Sequence, residues 1–298
     1  MLNINDELLV KFCNFIYDNS GIRFDEKNKI VLKSRINDAI HELKNINTPQ
    51  QLYELIISDK FKKEYFLDLV TTNLTRFFRN EAHFKTFEKF IIPQLINIKT
   101  KENKNRIVIW SAGCSTGEEP YSLAFVLKYH IPENFEFIII ASDLSLKSLM
   151  IAKDGHYSSQ QCEHIPTKYK KYIKPHMDGY KVVNDIKKHI RFDYHNLNFE
   201  SGFSNIDVIF CRNVLIYFDE KSQIKVLKKF YSSMAMKSYL FIGHSESLFG
   251  LNLPFKFLKT PWAIIYEKDD ESVPNEKKTF IPKQIQTIIL CKQTYRSK

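Results

Sequence analysis

The chain has 298 residues, of which 44% are hydrophobic and 26% are charged, a balance typical of a globular protein in water. Its formal net charge of +10 favours an anionic partner such as nucleic acid, an anionic membrane or an acidic protein. The five cysteines are scattered and form no CxxC pair, which argues against a zinc site or a disulfide framework. We therefore expect a cytoplasmic protein without a metal centre, a signal peptide or a membrane-inserted segment.

The first hundred residues predict a helical region. Apolar residues recur at helical spacing in four segments: Leu8 to Ile16, Ile30 to Leu43, Pro49 onward, and Phe61 to Leu74. Gly21 suits the end of the first helix, and Asn80 is a favourable N-cap for a further one. We assign residues 1–80 to a helical domain and residues 80–98 to a linker helix.

From Arg106 onward, short apolar runs alternate with helical segments. The predicted strands are 106–110, 136–141, 190–194, 206–211 and 238–242, and the predicted helices are 118–129, 145–153 and 220–236. This alternation predicts a doubly wound α/β fold with a parallel sheet. Two apolar runs around Thr260 lack a helix between them and predict an antiparallel hairpin at one edge. We assign residues 99–268 to this α/β domain, with an insert at about 155–190. We assign no function to the tail, residues 269–298.

The stretch "RIVIWSAGCSTGEEPYS" contains a glycine loop between a predicted strand and a predicted helix. Gly113 and Gly117 permit a tight turn and a close approach to a ligand, as in phosphate-binding loops. Glu118 and Glu119, however, would repel a diphosphate, and the P-loop lysine is missing. The loop therefore favours a nucleoside ligand with a positive charge at this end. The alternative is a turn with a purely structural role.

Polar side chains follow the other predicted strands. Asp143 ends the second strand and has two interpretations: it binds ribose hydroxyls, or it caps the next helix. Its place beside the glycine loop favours ribose binding. The ends of the third and fourth strands supply Asn196, Leu197, Arg212, Asn213 and Tyr217. Because ligands of open α/β sheets bind at the carboxyl ends of the strands, we expect these residues at the site.

The stretch "TTNLTRFFRN" is the densest polar and aromatic segment of the helical half. Phe77 and Phe78 fit a buried position in the core. An amphipathic helix end does not explain the polar set formed by Asn73, Thr75 and Arg79, which we interpret as part of a site.

Five stretches together resemble the signature segments of one family, the CheR chemoreceptor methyltransferases. They are "TTNLTRFFRN", "WSAGCSTGEEPYSLA", "ASDLSLKSL", "FCRNVLIYFD" and "FIGHSESL", and they occur in the family's order. The resemblance covers roughly residues 5 to 267. It implies a Rossmann-like class I S-adenosylmethionine-dependent methyltransferase domain with an inserted small β-subdomain, preceded by an all-helical domain. It also implies methyl transfer from S-adenosyl-L-methionine to glutamate side chains of chemoreceptor cytoplasmic domains, with S-adenosyl-L-homocysteine as product.

The resemblance implies roles for individual residues of this chain. Those that would bind the cofactor are Asn73, Thr75, Arg79, Gly113, Gly117, Glu118, Glu119, Asp143, Asn196, Leu197, Arg212 and Asn213. Glu118 or Glu119 would hold the methionine ammonium, and Asp143 would take the ribose. Arg79 and Tyr217 would lie nearest the transferred methyl group and act in catalysis.

The implied partners are acidic, glutamate-containing helices of chemoreceptors. The resemblance also implies a monomeric enzyme that is recruited to membrane receptor arrays. Two basic clusters would steer docking, or are simply solvated: Lys168, Lys170, Lys171, Lys174, Lys187 and Lys188 in the insert, and Lys29, Lys33 and Arg35 in the helical domain. Family members that tether to a receptor pentapeptide carry a longer, glycine-richer loop than "IKPHMDGYKVV". We therefore expect no pentapeptide tethering.

Two other functions remain open on sequence grounds. A nucleic-acid methyltransferase fits the positive charge and the tyrosines of the insert. Against it, "CRNVLIYF" lacks the Asn/Asp-Pro-Pro-aromatic loop of many base-amine methyltransferases. A non-catalytic regulator that binds the cofactor or a receptor is the second alternative, although the intact polar set argues against it.

Overall fold

The computed structural model describes residues 4–26, 28–43, 45–71 and 73–268, which form a helical domain followed by an α/β domain. The tail, residues 269–298, lies outside the described residues. In the described parts of the chain, every helix is too short or too polar to cross a lipid bilayer.

The helical domain consists of α1 (Asp6–Ser20), α2 (Lys29–Glu42), α3 (Pro49–Ser58) and α4 (Lys60–Val70). Helix α1 ends as predicted at Gly21, whose φ of 77° lies in the left-handed region that favours glycine. The helices bury one apolar cluster, in which the Phe12 and Phe66 rings lie 5.5 Å apart. Helix α4 ends at Val70, four residues before the predicted end at Leu74. The backbone of Thr71 leaves the helical conformation, and its hydroxyl donates to the Asp68 carbonyl oxygen at 2.7 Å.

A continuous helical rod links the two domains. It consists of α5 (Glu81–Thr86), a π-helical turn (Phe87–Ile91) and α6 (Ile92–Lys101). The π turn lies next to Pro93, which has no N–H to donate to the preceding turn. The rod begins directly after Asn80, which is the N-cap residue as predicted, but Asn80 does not cap the helix with its side chain. Asn80 has a left-handed backbone with φ of 65°, and its side chain makes no capping hydrogen bond.

The strands of the described α/β domain are β1 (Arg106–Ala112), β2 (Glu136–Asp143), β3 (His156–Ser158), β4 (Ile173–His176), β5 (Gly179–Val182), β6 (Ile190–Tyr194), β7 (Ile206–Cys211), β8 (Met234–Ile242), β9 (Lys256–Lys259) and β10 (Ile264–Lys268). The helices that accompany them are α7 (Glu118–His130), α8 (Leu146–Asp154), α9 (Ser159–Cys162), α10 (Asn184–Lys187) and α11 (Glu220–Ser233). Short 3₁₀ turns lie at Thr167–Tyr172 and Leu215–Tyr217.

The main sheet has the strand order β6-β2-β1-β7-β8-β10-β9. Its first five strands are parallel. Strand β10 runs antiparallel to both β8 and β9, which confirms the predicted parallel sheet and the edge hairpin. Helix α11 ends at Ser233 rather than the predicted 236, because β8 already begins at Met234. After β1 the chain builds outward through β2 and β6, then returns to place β7 on the other side of β1. The carboxyl ends of β1 and β7 therefore flank the point where strand order reverses.

A small antiparallel sheet with the order β3-β5-β4 interrupts the main domain between α8 and β6. It packs against the segment that joins the two domains. The buried Tyr157 ring lies 4.9 Å from Phe77, and the Tyr169 ring stacks on Phe78 at 5.2 Å. The prediction that Phe77 belongs to the core is confirmed, whereas Phe78 is half-buried against the insert.

Candidate functional site

A cavity of about 230 Å³ lies between the carboxyl ends of the sheet strands and the helical domain. We call its sheet side the floor: the loops that follow β1, β2, β6 and β7, with Glu119 from α7. We call its helical side the roof: residues 20–24, Asn28, Val31 and residues 73–79. The cavity thus sits at the place where open α/β sheets bind ligands.

Most of the predicted site residues come together in this cavity. Its lining includes Asn73, Thr75, Arg79, Gly113, Glu119, Asp143, Asn196, Leu197, Arg212, Asn213 and Tyr217. Glu118 and Gly117 are absent from the lining. For these two residues the structure does not support a contact with a ligand in the cavity.

The two neighbouring glutamates at the start of α7 point in different directions, since consecutive helical residues do not share a face. Glu119 faces the cavity, and its carboxylate accepts from Ser111 Oγ at 2.7 Å and pairs with Arg212 at 3.1 Å. Glu118 is buried on the other side, where it accepts from Thr116 Oγ1 at 2.7 Å and Gln161 Nε2 at 3.2 Å. Glu118 therefore ties α7 to helix α9 of the insert, and Glu119 is the glutamate available to a ligand.

The two glycines of the loop also have different roles: one lines the cavity and the other packs against the insert. Gly113 lines the cavity with φ of 81°, and a Cβ there would lie 2.5 Å from a methyl group of Val214. Gly117, with φ of 97°, packs against Ala152 and the Tyr157 hydroxyl, and a Cβ at this position would lie 2.8 Å from each of them. Gly113 therefore brings backbone close to the cavity, while Gly117 lets the insert pack on the turn.

Asp143 holds the glycine loop in place and keeps acceptor capacity for a ligand. Its carboxylate accepts from the backbone N–H of Ser115 at 2.8 Å and of Ser145 at 2.9 Å. Because an ionised carboxylate has about four acceptor positions, it retains acceptor capacity for a hydroxyl group in the cavity. Burial raises the pKa of Asp143, and these N–H donors oppose that shift. The capping alternative is wrong, since Ser145 is the N-cap of α8.

Arg212 is a buried arginine that connects the floor to the roof. Its side chain is 2% exposed, pairs with Glu119 and donates through Nη2 to the Arg79 carbonyl oxygen. Burial raises the pKa of Glu119, and the neighbouring guanidinium of Arg212 opposes this rise. The Arg212 Nε–H lacks a hydrogen-bond partner among the described residues, so it can donate to an acceptor group of a ligand.

Asn196 also spans the two sides of the cavity. Its amide donates to the Asn19 carbonyl oxygen at 2.5 Å, and its carbonyl oxygen accepts from the Asn198 N–H at 2.9 Å. The side chain therefore holds the end of α1 against the floor as well as lining the cavity. The Cys114 thiol of the glycine loop is buried, and burial raises its pKa, so it stays protonated.

Sequence reasoning missed two contributors to the site. Glu246, in the stretch "FIGHSESL", accepts from the backbone N–H groups of Gly243, Asn213 at 3.0 Å and Ile216 at 3.1 Å. It thereby shapes the loop that carries Asn213 and Tyr217. The signal was an acidic residue four positions after the end of β8, at the sheet edge where the other polar residues gather.

The second missed contributor is the part of the roof that follows α1. The Arg23 N–H donates to the Tyr217 carbonyl oxygen at 2.9 Å, and Ile22 bridges to Phe218. Arg23, Phe24 and Asn28 consequently lie over the cavity. No local sequence pattern predicts this contact, because it joins residues almost 200 positions apart in the chain.

Comparisons with known proteins agree with this architecture. The profile of the CheR methyltransferase all-alpha domain matches residues 7–71, and that of the CheR methyltransferase SAM binding domain matches residues 73–264. A chemotaxis protein methyltransferase of Borreliella burgdorferi is 36% identical over 84% of this chain and 91% of its own length. Chemotaxis protein methyltransferase 2 of Vibrio cholerae is 30% identical over 92% of this chain and 97% of its own length.

The cavity supplies the groups that S-adenosyl-L-methionine requires. The Glu119 carboxylate suits an ammonium group, and the remaining acceptor capacity of Asp143 suits a ribose hydroxyl. The unpartnered Nε–H of Arg212 is a donor for a carboxylate. The chain belongs to the CheR methyltransferase family, and its cofactor is S-adenosyl-L-methionine.

Proposed function

We propose that this protein transfers the methyl group of S-adenosyl-L-methionine to glutamate side chains in the cytoplasmic domains of methyl-accepting chemotaxis receptors, giving glutamate methyl esters. The observation that carries the proposal is one cavity lined by the carboxylates of Glu119 and Asp143 and also by Arg79 and Tyr217. The first pair fits the cofactor, and the second fits an anionic acceptor. The names of the family relatives, chemotaxis protein methyltransferases, agree with this substrate class.

The acceptor needs no proton removed before it reacts. A glutamate side chain has an unperturbed pKa of about 4.3, so at neutral pH it enters as a carboxylate. When bound, the cofactor would supply a sulfonium methyl group to the carboxylate oxygen, and sulfur would keep the electron pair of the broken C–S bond. The protein's task is therefore to place the carboxylate in line with that methyl group and to exclude water, and positioning of this kind is worth roughly 7–11 kcal/mol.

Arg79 is the residue that we propose to orient the acceptor carboxylate. It lies on the roof segment and donates through Nη1 to the Leu74 carbonyl oxygen at 2.7 Å, which leaves other N–H groups free. A planar guanidinium can align a carboxylate through two parallel hydrogen bonds. Tyr217 lines the same cavity, and the Glu246 carboxylate fixes the loop on which it stands.

We further propose that the enzyme works as a monomer in the cytoplasm, at receptor arrays, through charge contacts at the cavity mouth and without a pentapeptide tether. In the insert, β4 and β5 are joined by only Met177 and Asp178, which leaves no long loop to grip a tether. The basic insert is also partly neutralised by its own acids and those nearby. Lys168 pairs with Glu88 at 2.8 Å, and Lys188 pairs with Asp185.

The decisive experiment supplies the full-length protein with methyl-labelled S-adenosyl-L-methionine and a soluble cytoplasmic fragment of a chemoreceptor. We expect label in the fragment, released as methanol by mild base because carboxyl methyl esters are base-labile. A fragment shortened by its last five residues tests the absence of tethering, and we expect it to be methylated at an unchanged rate. RNA in a parallel reaction tests the nucleic-acid alternative.

The possible results separate the candidate functions. Base-labile label in the receptor fragment supports the proposal. Label in RNA would identify a nucleic-acid methyltransferase, and tight binding of S-adenosyl-L-homocysteine without any transfer would identify a non-catalytic regulator. Base-stable label in the fragment would contradict ester formation.

A further inference from the structure

The turn that carries Arg79 has an unusual backbone. Phe78 and Asn80, the residues on either side of Arg79, both have left-handed conformations, with φ of 50° and 65°. Asparagine adopts this conformation fairly readily, but a bulky residue such as phenylalanine does so rarely, because its Cβ crowds the backbone. Such a conformation persists only where the surrounding structure holds it in place. The position of Arg79 at the cavity therefore depends on what holds Phe78.

Contacts with α7, α5 and the insert hold Phe78. Its N–H donates to Ser122 Oγ in α7 at 3.0 Å, and its ring lies 4.9 Å from that of Phe84 in α5. From the insert, the Tyr169 ring stacks on Phe78, with the ring centroids 5.2 Å apart and the ring planes 7° from parallel. The insert thus supplies the flat surface against which the residue before Arg79 lies.

Tyr169 is itself fixed by polar contacts as well as by burial. The residue is 1% exposed, and its hydroxyl donates to Glu88 Oε2, in the π-helical turn of the rod, at 3.1 Å. The Glu88 carboxylate also pairs with Lys168 at 2.8 Å, and His130 Nε2 lies 3.2 Å from the Tyr169 hydroxyl. Because its hydroxyl is tied to the rod, the Tyr169 ring keeps one orientation toward Phe78.

The floor holds the other end of the same turn. Arg212 donates to the Arg79 carbonyl oxygen, and the Asn80 carbonyl oxygen accepts from the His83 N–H at 3.1 Å. Arg212 belongs to the cavity lining, whereas Tyr169 does not. Any effect of Tyr169 on the reaction must therefore pass through the turn and not through a contact with a ligand.

We infer that Tyr169 is a positioning residue: it holds Phe78 in its left-handed conformation and thereby orients Arg79 toward the acceptor carboxylate. This inference rests on the proposed function and gives the insert a role in the transfer step itself. Because a misplacement of about 1 Å can cost roughly 100-fold in rate, even a small shift of the turn lowers turnover. Cofactor binding depends on Glu119 and Asp143 instead, and it stays unchanged.

The test compares two tyrosines of one 3₁₀ turn. Tyr169→Leu removes the ring that stacks on Phe78, and Tyr172→Leu removes a ring that stacks on Phe125 in α7 at 5.6 Å. With saturating cofactor and receptor fragment, we expect kcat for methyl transfer to fall about 10-fold in Tyr169→Leu and less than about twofold in Tyr172→Leu. The KM for S-adenosyl-L-methionine should stay within about twofold of the wild-type value in both variants.

Two further variants identify the contact that matters. Tyr169→Phe keeps the stacked ring and loses only the hydrogen bond to Glu88, so it should retain at least about half of the wild-type kcat. Phe78→Leu removes the other ring of the stack, at a half-buried position, and should lower kcat as Tyr169→Leu does. Because both residues act through one contact, the double variant Phe78→Leu/Tyr169→Leu should be no slower than Phe78→Leu alone.

Hydrogen exchange gives a readout that does not depend on the acceptor. The Phe78 N–H should exchange faster in Tyr169→Leu and at the wild-type rate in Tyr172→Leu. Wild-type kcat in Tyr169→Leu, equal losses of kcat in the two tyrosine variants, or additive losses in the double variant would overturn the inference. Absence of transfer by the wild type would instead overturn the proposed function, and the exchange rates at Phe78 would still decide whether Tyr169 holds the turn.

Discussion

The floor and the roof of the cavity are built in different ways. On the floor, charged groups are buried and tied to fixed partners: Asp143 to two backbone N–H groups, and Glu119 to Arg212. On the roof, Leu74 is 77% exposed, and Arg76 is exposed on a segment without helix or strand structure. The floor is thus rigid where a cofactor of constant shape must fit. The roof is adaptable where a protein substrate must enter.

The difference extends to how the two halves are joined. Hydrogen bonds outside the cavity also join the helical domain to the α/β domain: Tyr17 to Asp219, Asn196 to the Asn19 carbonyl, and the Lys147 N–H to Asp68 at 3.0 Å. Substitutions on the floor should therefore cost both stability and cofactor binding. Substitutions on the roof should cost turnover or selectivity while the fold persists.

The largest expected effect comes from the floor. Glu119→Ala removes the counter-charge of Arg212, whose side chain is 2% exposed, and an uncompensated buried charge costs about 3–5 kcal/mol of unfolding free energy. We also expect S-adenosyl-L-homocysteine binding to be lost. Urea unfolding and calorimetry measure the two effects. Glu118→Ala is the matched control, because it removes the neighbouring glutamate but leaves the Arg212 pair and the ligand affinity intact; equal losses of affinity would refute the distinction.

The next effect comes from the roof. Arg79→Ala leaves the Arg79 carbonyl that Arg212 contacts, so the variant should fold normally. Methyl transfer should nevertheless fall about 100-fold or more, as when an acceptor loses its alignment. Thermal unfolding and a transfer assay measure this separation, with Arg106→Ala as the control. A variant that retained full activity would show that another residue aligns the acceptor.

Much of the floor was predictable because it follows from strand order. The carboxyl ends of parallel strands meet at one edge, so polar residues after separate strands had to come together. Asp143, Asn196, Arg212 and Asn213 were found in this way, and all of them line the cavity.

The residues of the roof after α1, and which of the two glutamates faces the cavity, were not predictable, for physical reasons. Glu118 and Glu119 are neighbours in sequence, and the direction of each depends on how α7 starts at Gly117. Arg23 reaches the site only through the long-range hydrogen bond of its N–H to Tyr217. A periodic pattern carries no information about such contacts, because the hydrophobic repeat specifies which face is buried and not what covers it.

A third prediction concerns pH and a histidine beneath the floor. His83 in α5 is buried beside Arg212, and burial, with repulsion from Arg212 and His244, lowers its pKa to about 3 from 6.5. Between these values the unfolded chain binds a proton that the folded chain does not. Stability should therefore decrease as pH falls below 6.5, with a contribution from His83 of about 1.4 kcal/mol per pH unit.

Substitution of this histidine isolates its contribution. His83→Phe should flatten the pH dependence of the unfolding free energy, since His83 Nδ1 has no partner among the described residues and the ring already packs on Phe241. The exposed His164→Gln should leave the dependence as it is in the wild type. An unchanged slope in His83→Phe would mean that other groups govern acid unfolding.

The smallest effect should arise where the roof meets the floor. Tyr17→Phe removes the hydroxyl that donates to Asp219 at 3.0 Å, a contact near the surface that we expect to stabilise the closed roof by about 0.5–1 kcal/mol. Because Asp219 keeps the Ser222 N–H at 2.9 Å, the start of α11 should stay intact. Hydrogen exchange should quicken at residues 20–24 and remain unchanged in the sheet, and the affinity for S-adenosyl-L-homocysteine should fall less than about fivefold. Tyr53→Phe, which changes a partly buried tyrosine packed against the core of the helical domain, should not quicken exchange at the roof. If Tyr17→Phe instead accelerated exchange throughout β1 and β7, floor and roof would unfold as one unit, and the separation between them would not hold.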